Sequence, residues 1–76
     1  MNKANRKELE KAIALIKEAQ EIVERIKDEE QEKFDNLSEG LQATEKGQKF
    51  EETVSSLEDV SSQLEDAVDN INSASE

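Results

Sequence analysis

Apolar residues recur along this chain with a helical period, in two runs that mirror each other. Leu9, Ile16, Val23 and Glu30 stand seven residues apart, and so do Phe50, Leu57, Leu64 and Ile71. Folding the chain back at Gly40 sets Leu9 against Ile71, Ile16 against Leu64, Val23 against Leu57 and Glu30 against Phe50. The intermediate positions keep the same register, with Ala12 facing Val68, Ala19 facing Ser61 and Ile26 facing Val54. One register that serves both rows predicts an all-α fold, an antiparallel hairpin of two coiled-coil-like helices.

The expected organisation is one domain over residues 1–76, with helices at about 6–36 and about 45–72, a turn at about 37–44 and a fraying tail at 73–76. Asn5 is the expected N-cap of the first helix, with Glu8 at the capping-box spacing. Gly40 is expected to reverse the chain in a left-handed conformation, with Leu37 and Leu41 folding inward to plug the closed end. Thr44 is the expected N-cap of the second helix. Gly47, costly inside a helix, is explained by a close backbone approach opposite Lys33. A heptad repeats within the second helix: Leu57-Glu58-Asp59-Val60-Ser61-Ser62-Gln63 is followed by Leu64-Glu65-Asp66-Ala67-Val68-Asp69-Asn70.

The first helix is apolar over more of its circumference than one partner helix can cover. Leu15 and Ile22 fall outside the seam row and join Ala12, Ala19 and Ile26 in a second stripe. A lone two-helix seam buries too little to offset the entropy of ordering the chain. The stripe therefore predicts self-association, most simply a homodimer that forms a four-helix bundle, with a different protein partner as the alternative.

Charge narrows the partners. Residues 1–38 carry eight basic and ten acidic side chains, whereas residues 39–76 carry only Lys46 and Lys49 against ten acids. Such a chain repels phosphates, so direct nucleic-acid binding is not expected and a basic protein is the favoured partner. The antiparallel arrangement would set Lys3, Arg6, Lys7 and Lys11 beside Glu65, Asp66 and Asp69. Acid doublets recur on the second helix at Glu51-Glu52, Glu58-Asp59 and Glu65-Asp66, at the positions judged most distant from the seam. They read either as a solvated face or as a mimic of nucleic-acid charge. Their spacing of about 10 Å is coarser than that of phosphates along a strand.

No catalytic chemistry is indicated. The chain has neither histidine nor cysteine, so it lacks the usual general base and any thiolate nucleophile, and Ser55, Ser56, Ser61 and Ser62 have no activating base. The acidic run from Asp28 to Asp35 lacks the ligand alternation of a calcium loop, so no metal or other cofactor is expected. Glu30, at a seam position, is expected to pair with Lys33 or Lys49 rather than to act as a catalytic acid. No segment is apolar enough to span a membrane, and the N-terminus does not read as a secretory signal, so a cytoplasmic location is expected.

The segments Glu29-Glu30-Gln31-Glu32-Lys33-Phe34-Asp35-Asn36-Leu37-Ser38-Glu39-Gly40-Leu41-Gln42 and Thr44-Glu45-Lys46-Gly47-Gln48-Lys49-Phe50-Glu51-Glu52, with the heptads after them, resemble small acidic proteins encoded by bacteriophages and prophages. The resemblance spans about residues 28–72, and Ser38 stands where those proteins usually have proline, which implies a less rigid turn. It implies a bacterial host cytoplasm and a role in binding and inhibiting a host or anti-phage defence protein. It assigns no functional residues. The expected function is thus a non-enzymatic protein-interaction module, with a nucleic-acid mimic or a purely structural self-assembling piece as alternatives. Leu15, Ile22, Glu51, Glu52, Glu58, Asp59, Glu65 and Asp66 are the expected interaction residues.

Overall fold

The computed structural model describes all 76 residues, in three helices and no strands: α1 (Lys3–Asp35), α2 (Glu39–Gln42) and α3 (Glu45–Ala74). α1 and α3 pack lengthwise as an antiparallel hairpin, a rod of 58 × 15 × 12 Å. No helix is long and apolar enough to cross a membrane.

The helix ends depart from expectation. α1 starts at Lys3, capped by Asn2, whose side chain accepts a hydrogen bond of 2.7 Å from the Asn5 amide. Asn5 therefore lies within the first turn and the Asn5–Glu8 capping box does not form. An equally good cap three residues earlier lets the helix add hydrogen bonds at no further nucleation cost. At the other end α3 continues to Ala74, where fraying was expected, and the Ser75 hydroxyl donates to the Ile71 carbonyl at 2.8 Å.

The reversal does not depend on Gly40. No glycine has positive φ, and Gly40 sits within α2. Two extended residues turn the chain instead: Ser38 at ψ 157° and Thr44 at ψ 172°, one before each following helix. The Ser38 hydroxyl accepts from the Leu41 amide at 3.4 Å. Thr44 holds the N-cap position of α3, but its hydroxyl donates backward to the Leu41 carbonyl and caps nothing. Leu37 is half-buried, whereas Leu41 is 50% exposed, so only one of the two plugs the closed end.

Gln42 does what Leu41 does not. Its side-chain amide donates to the carbonyls of Phe34 (3.2 Å), in the last turn of α1, and of Leu37 (3.1 Å), just beyond it. Its backbone packs on Gly47: a Cβ at Gly47 would lie 2.1 Å from the Gln42 carbonyl oxygen. The close approach that Gly47 allows is therefore to the turn, not to Lys33.

Along the seam, Gly47, Phe50, Val54, Leu57, Ser61, Leu64, Val68 and Ile71 of α3 are all buried or half-buried, at alternating steps of three and four. Leu9, Ile16, Val23 and Glu30 of α1 are half-buried as expected. The second α1 row differs. It runs Ile13, Gln20, Lys27, Phe34, with Ala12 and Ala19 half-buried beside it, and Ile26 is 38% exposed. Ile13 and Phe34 are the bulky members of that row and the heptad between them passes through Gln20 and Lys27, which pushes Ile26 to the rim. Only Gly47, Val54 and Val68 are buried, and the two valines each keep 8% of their surface exposed.

All three ion pairs lie within α1: Lys11–Glu8 (3.5 Å), Lys27–Glu24 (2.9 Å) and Lys33–Glu30 (3.2 Å). Glu30 thus takes Lys33 rather than Lys49. The pairing expected between Lys3, Arg6, Lys7 and Lys11 and the acids Glu65, Asp66 and Asp69 is not formed. Exposed side chains gain too little from such bridges to hold one geometry across a seam.

Candidate interaction surfaces

The two flanks of the hairpin differ in chemistry. In an antiparallel helix pair, residues just outside the seam on one side of both helices form one continuous face. Projected at about 100° per residue, Leu15, Ile22 and Ile26 share one flank of α1, and Thr53, Val60 and Ala67 share the adjoining flank of α3. Leu15 is 66% exposed, Ile22 50%, and Ile26 and Val60 38% each. These four are the large apolar side chains left open along the middle of the rod. Leu15 and Ile22 were named from the sequence. The sequence places Ile26 both in the seam and in the stripe, and the structure leaves it at the rim; Val60, which directly follows Glu58 and Asp59, is not among the expected residues.

The opposite flank is polar and partly ordered. The Ser61 hydroxyl donates to the Glu24 carboxylate at 2.7 Å, and the Gln20 amide donates to the Ser61 carbonyl at 3.4 Å. Lys27, with its side chain 21% exposed, completes the cluster through Glu24. Hydrogen bonds from Lys27 and Ser61 hold the Glu24 carboxyl below its ordinary 4.5, and the bond to Glu24 holds the Lys27 ammonium above its ordinary 10.5. Sequence reading placed only Ser61 of this group in the seam. The signal for Gln20 and Lys27 was their heptad spacing from Ile13 and Phe34.

The depressed Glu24 value has a testable consequence. Stability from the ionised carboxylate is fully present above pH 4.5 and is lost as pH falls through the lower folded-state value. Glu24→Gln should therefore be less stable than the parent at pH 7, and the deficit should close in acid, as pH falls through the lowered pKa of the parent carboxyl. Urea unfolding at several pH values reads this, and an equal deficit at pH 3 and pH 7 would contradict it.

A shallow trench of about 800 Å³ runs along this polar flank, lined by Lys17, Gln20, Glu24, Arg25, Asp28 and Ser61 among others, none of them apolar. A smaller cleft of about 260 Å³ lies near the turn between Glu30, Lys46, Lys49, Phe50 and Thr53. That cleft brings Glu30 and Phe50 together, as the register requires. No group of acids converges as a metal site would.

The acid doublets are all exposed. Their members are not equivalent, however. Glu51, Glu58 and Glu65 fall one position after a seam residue pair on the polar flank, and Glu58 is near enough for its charge to act on Lys27. Glu52, Asp59 and Asp66 point directly away. Only the second member of each doublet thus occupies the outermost position.

No known protein family matches the chain, and neither a curated protein nor a solved structure is significantly similar to it.

Proposed function

We propose that this chain is a non-enzymatic protein-interaction module that pairs with itself through its apolar flank to form a four-helix bundle. The acidic outer face of α3 stays open in such a bundle and suits a basic protein partner. The resemblance to small acidic phage proteins gives that partner a setting, a host or defence protein in the bacterial cytoplasm.

One observation carries the reading. The chain buries three of its 76 residues, yet leaves Leu15, Ile22, Ile26 and Val60 open on one side. Isolated exposed apolar residues are ordinary, whereas a contiguous stripe on one flank is the mark of an interface. The doublets support the second half of the reading, because α3 carries eight acids, with two lysines confined to its first turns.

Sedimentation equilibrium at micromolar concentration is the direct test. The expected mass is twice 8.6 kDa, and a helical monomer would overturn the self-association. For the basic partner, the double charge reversal Glu58→Lys with Asp59→Lys should leave that mass unchanged and abolish binding to a host protein captured by the parent chain. A captured protein held equally by both chains would remove the acidic face from the proposal.

A further inference from the structure

We infer that the apolar flank receives a second copy of the chain head to tail, with a two-fold axis crossing the rod at Val60. This rests on the self-association proposed above and adds the surface, its centre and its polarity.

Area comes first. A compact protein of 8.6 kDa exposes about 4,700 Å², whereas this chain exposes 5685 Å². The excess of about 1,000 Å² is close to the ~800 Å² that each partner contributes to a standard interface. The surface that keeps this rod from being compact is thus of the size one stable contact removes.

Self-complementarity comes second. A two-fold contact must match its own surface. In the hairpin register Val60 lies level with residue 20 of α1, midway between Leu15 and Ile26. A half turn about an axis at that level sets Leu15 opposite Ile26 of the second copy and Ile22 opposite Ala19. On α3 it sets Val60 opposite itself and Thr53 opposite Ala67. At the rim of the α1 contact, Glu8 meets Lys33 of the second copy, opposite charges that are each exposed in the single chain. Apolar pairs fill the centre and an ion pair closes each end.

Charge fixes the polarity. The closed end of the rod, residues 28–52, holds nine acids and three bases. The open end, residues 1–12 and 68–76, holds four of each. An axis parallel to the rod would lay two closed ends side by side, with like charge against like. The crosswise axis lays each closed end beside a balanced open end, which is the lower electrostatic energy.

The chain has no cysteine, so Val60→Cys introduces a single thiol and the contact can be read by disulfide trapping. Oxidised glutathione accepts the two electrons and two protons that leave the paired thiols. Asp59→Cys, one residue away on the outer face, sets the background. The expected result is a mass of two chains by sedimentation and a Val60→Cys disulfide that forms at least tenfold faster than the Asp59→Cys one. Two chains by sedimentation with no excess trapping at Val60→Cys would overturn the head-to-tail axis while leaving self-association standing. A single chain by sedimentation would overturn both.

Discussion

Gly47→Ala should destabilise the hairpin by about 3 kcal/mol, even though alanine is the better helix former by about 1 kcal/mol. The added methyl would sit 2.1 Å from the Gln42 carbonyl oxygen, 2.6 Å from its carbon and 2.7 Å from its Cα. All three are backbone atoms, so no side-chain rotation relieves the clash. Gln42 cannot yield cheaply, because its amide N–H donates to the Ser38 carbonyl at 2.9 Å and its side chain holds the carbonyls of Phe34 and Leu37. Moving it unlatches the turn from both helices. Gly40→Ala is the internal control. Nothing lies within 4 Å of a Cβ there and the residue is helical, so the same substitution should stabilise by about 0.5–1 kcal/mol. Urea midpoints for the two variants should move in opposite directions, and a neutral Gly47→Ala would show that the turn is looser than its contacts imply.

Leu15→Glu combined with Ile22→Glu should separate the proposed dimer and lower its helix content together. Fully burying a leucine or isoleucine contributes about 1.5–3 kcal/mol. Leu15 is already about one third covered and Ile22 half covered, so a two-fold contact would draw roughly 1 kcal/mol from each of four side chains. Removing about 4 kcal/mol weakens association roughly a thousandfold, before any repulsion between the new carboxylates is counted. The freed hairpin retains a seam in which only Gly47, Val54 and Val68 are buried. Its circular dichroism at micromolar concentration should therefore show partial unfolding where the parent is helical. A double variant that sediments and melts like the parent would show that this flank is not the interface.

The hairpin was legible in the sequence because its information is periodic. Leu57, Leu64 and Ile71 repeat every seven residues, Leu9, Ile16 and Val23 do the same, and a fold-back at Gly40 aligns all of them at once. What was not legible depended on choices that the period leaves open. Ala12–Ala19–Ile26 and Ile13–Gln20–Lys27 are adjacent rows with equal spacing, and the apolar one looks the better candidate for the seam. Packing chose the row containing Ile13 and Phe34, since it holds the larger side chains, and Lys27 came with it. The turn misled for another reason. The sequence reads Gly40 as a left-handed turn residue and Gly47 as room for a close approach; the second role holds, but the neighbour is Gln42 and not Lys33, and the first does not. Gly40 turned out to be dispensable, whereas Gly47 is confined by a contact with a residue whose position only the folded chain defines. Of the expected interaction residues, Leu15 and Ile22 are exposed as the stripe argument required, but half of the face they belong to lies on α3 at Val60.

The polar cluster at mid-seam bears on how the chain avoids a misfolded alternative. The two near-identical heptads of α3 invite slippage, because a shift of seven residues puts one of Leu57 and Leu64 in the other's place against α1. Such a shift would bring Val54 or Val68 to the place of Ser61. The Glu24 carboxylate would then face an aliphatic side chain in place of the hydroxyl it now accepts from, whereas Gln20, which donates to a main-chain carbonyl, would find one in either register. A weak spot in the hydrophobic seam thus serves as an index mark, penalising every alignment but one in a sequence that otherwise repeats itself.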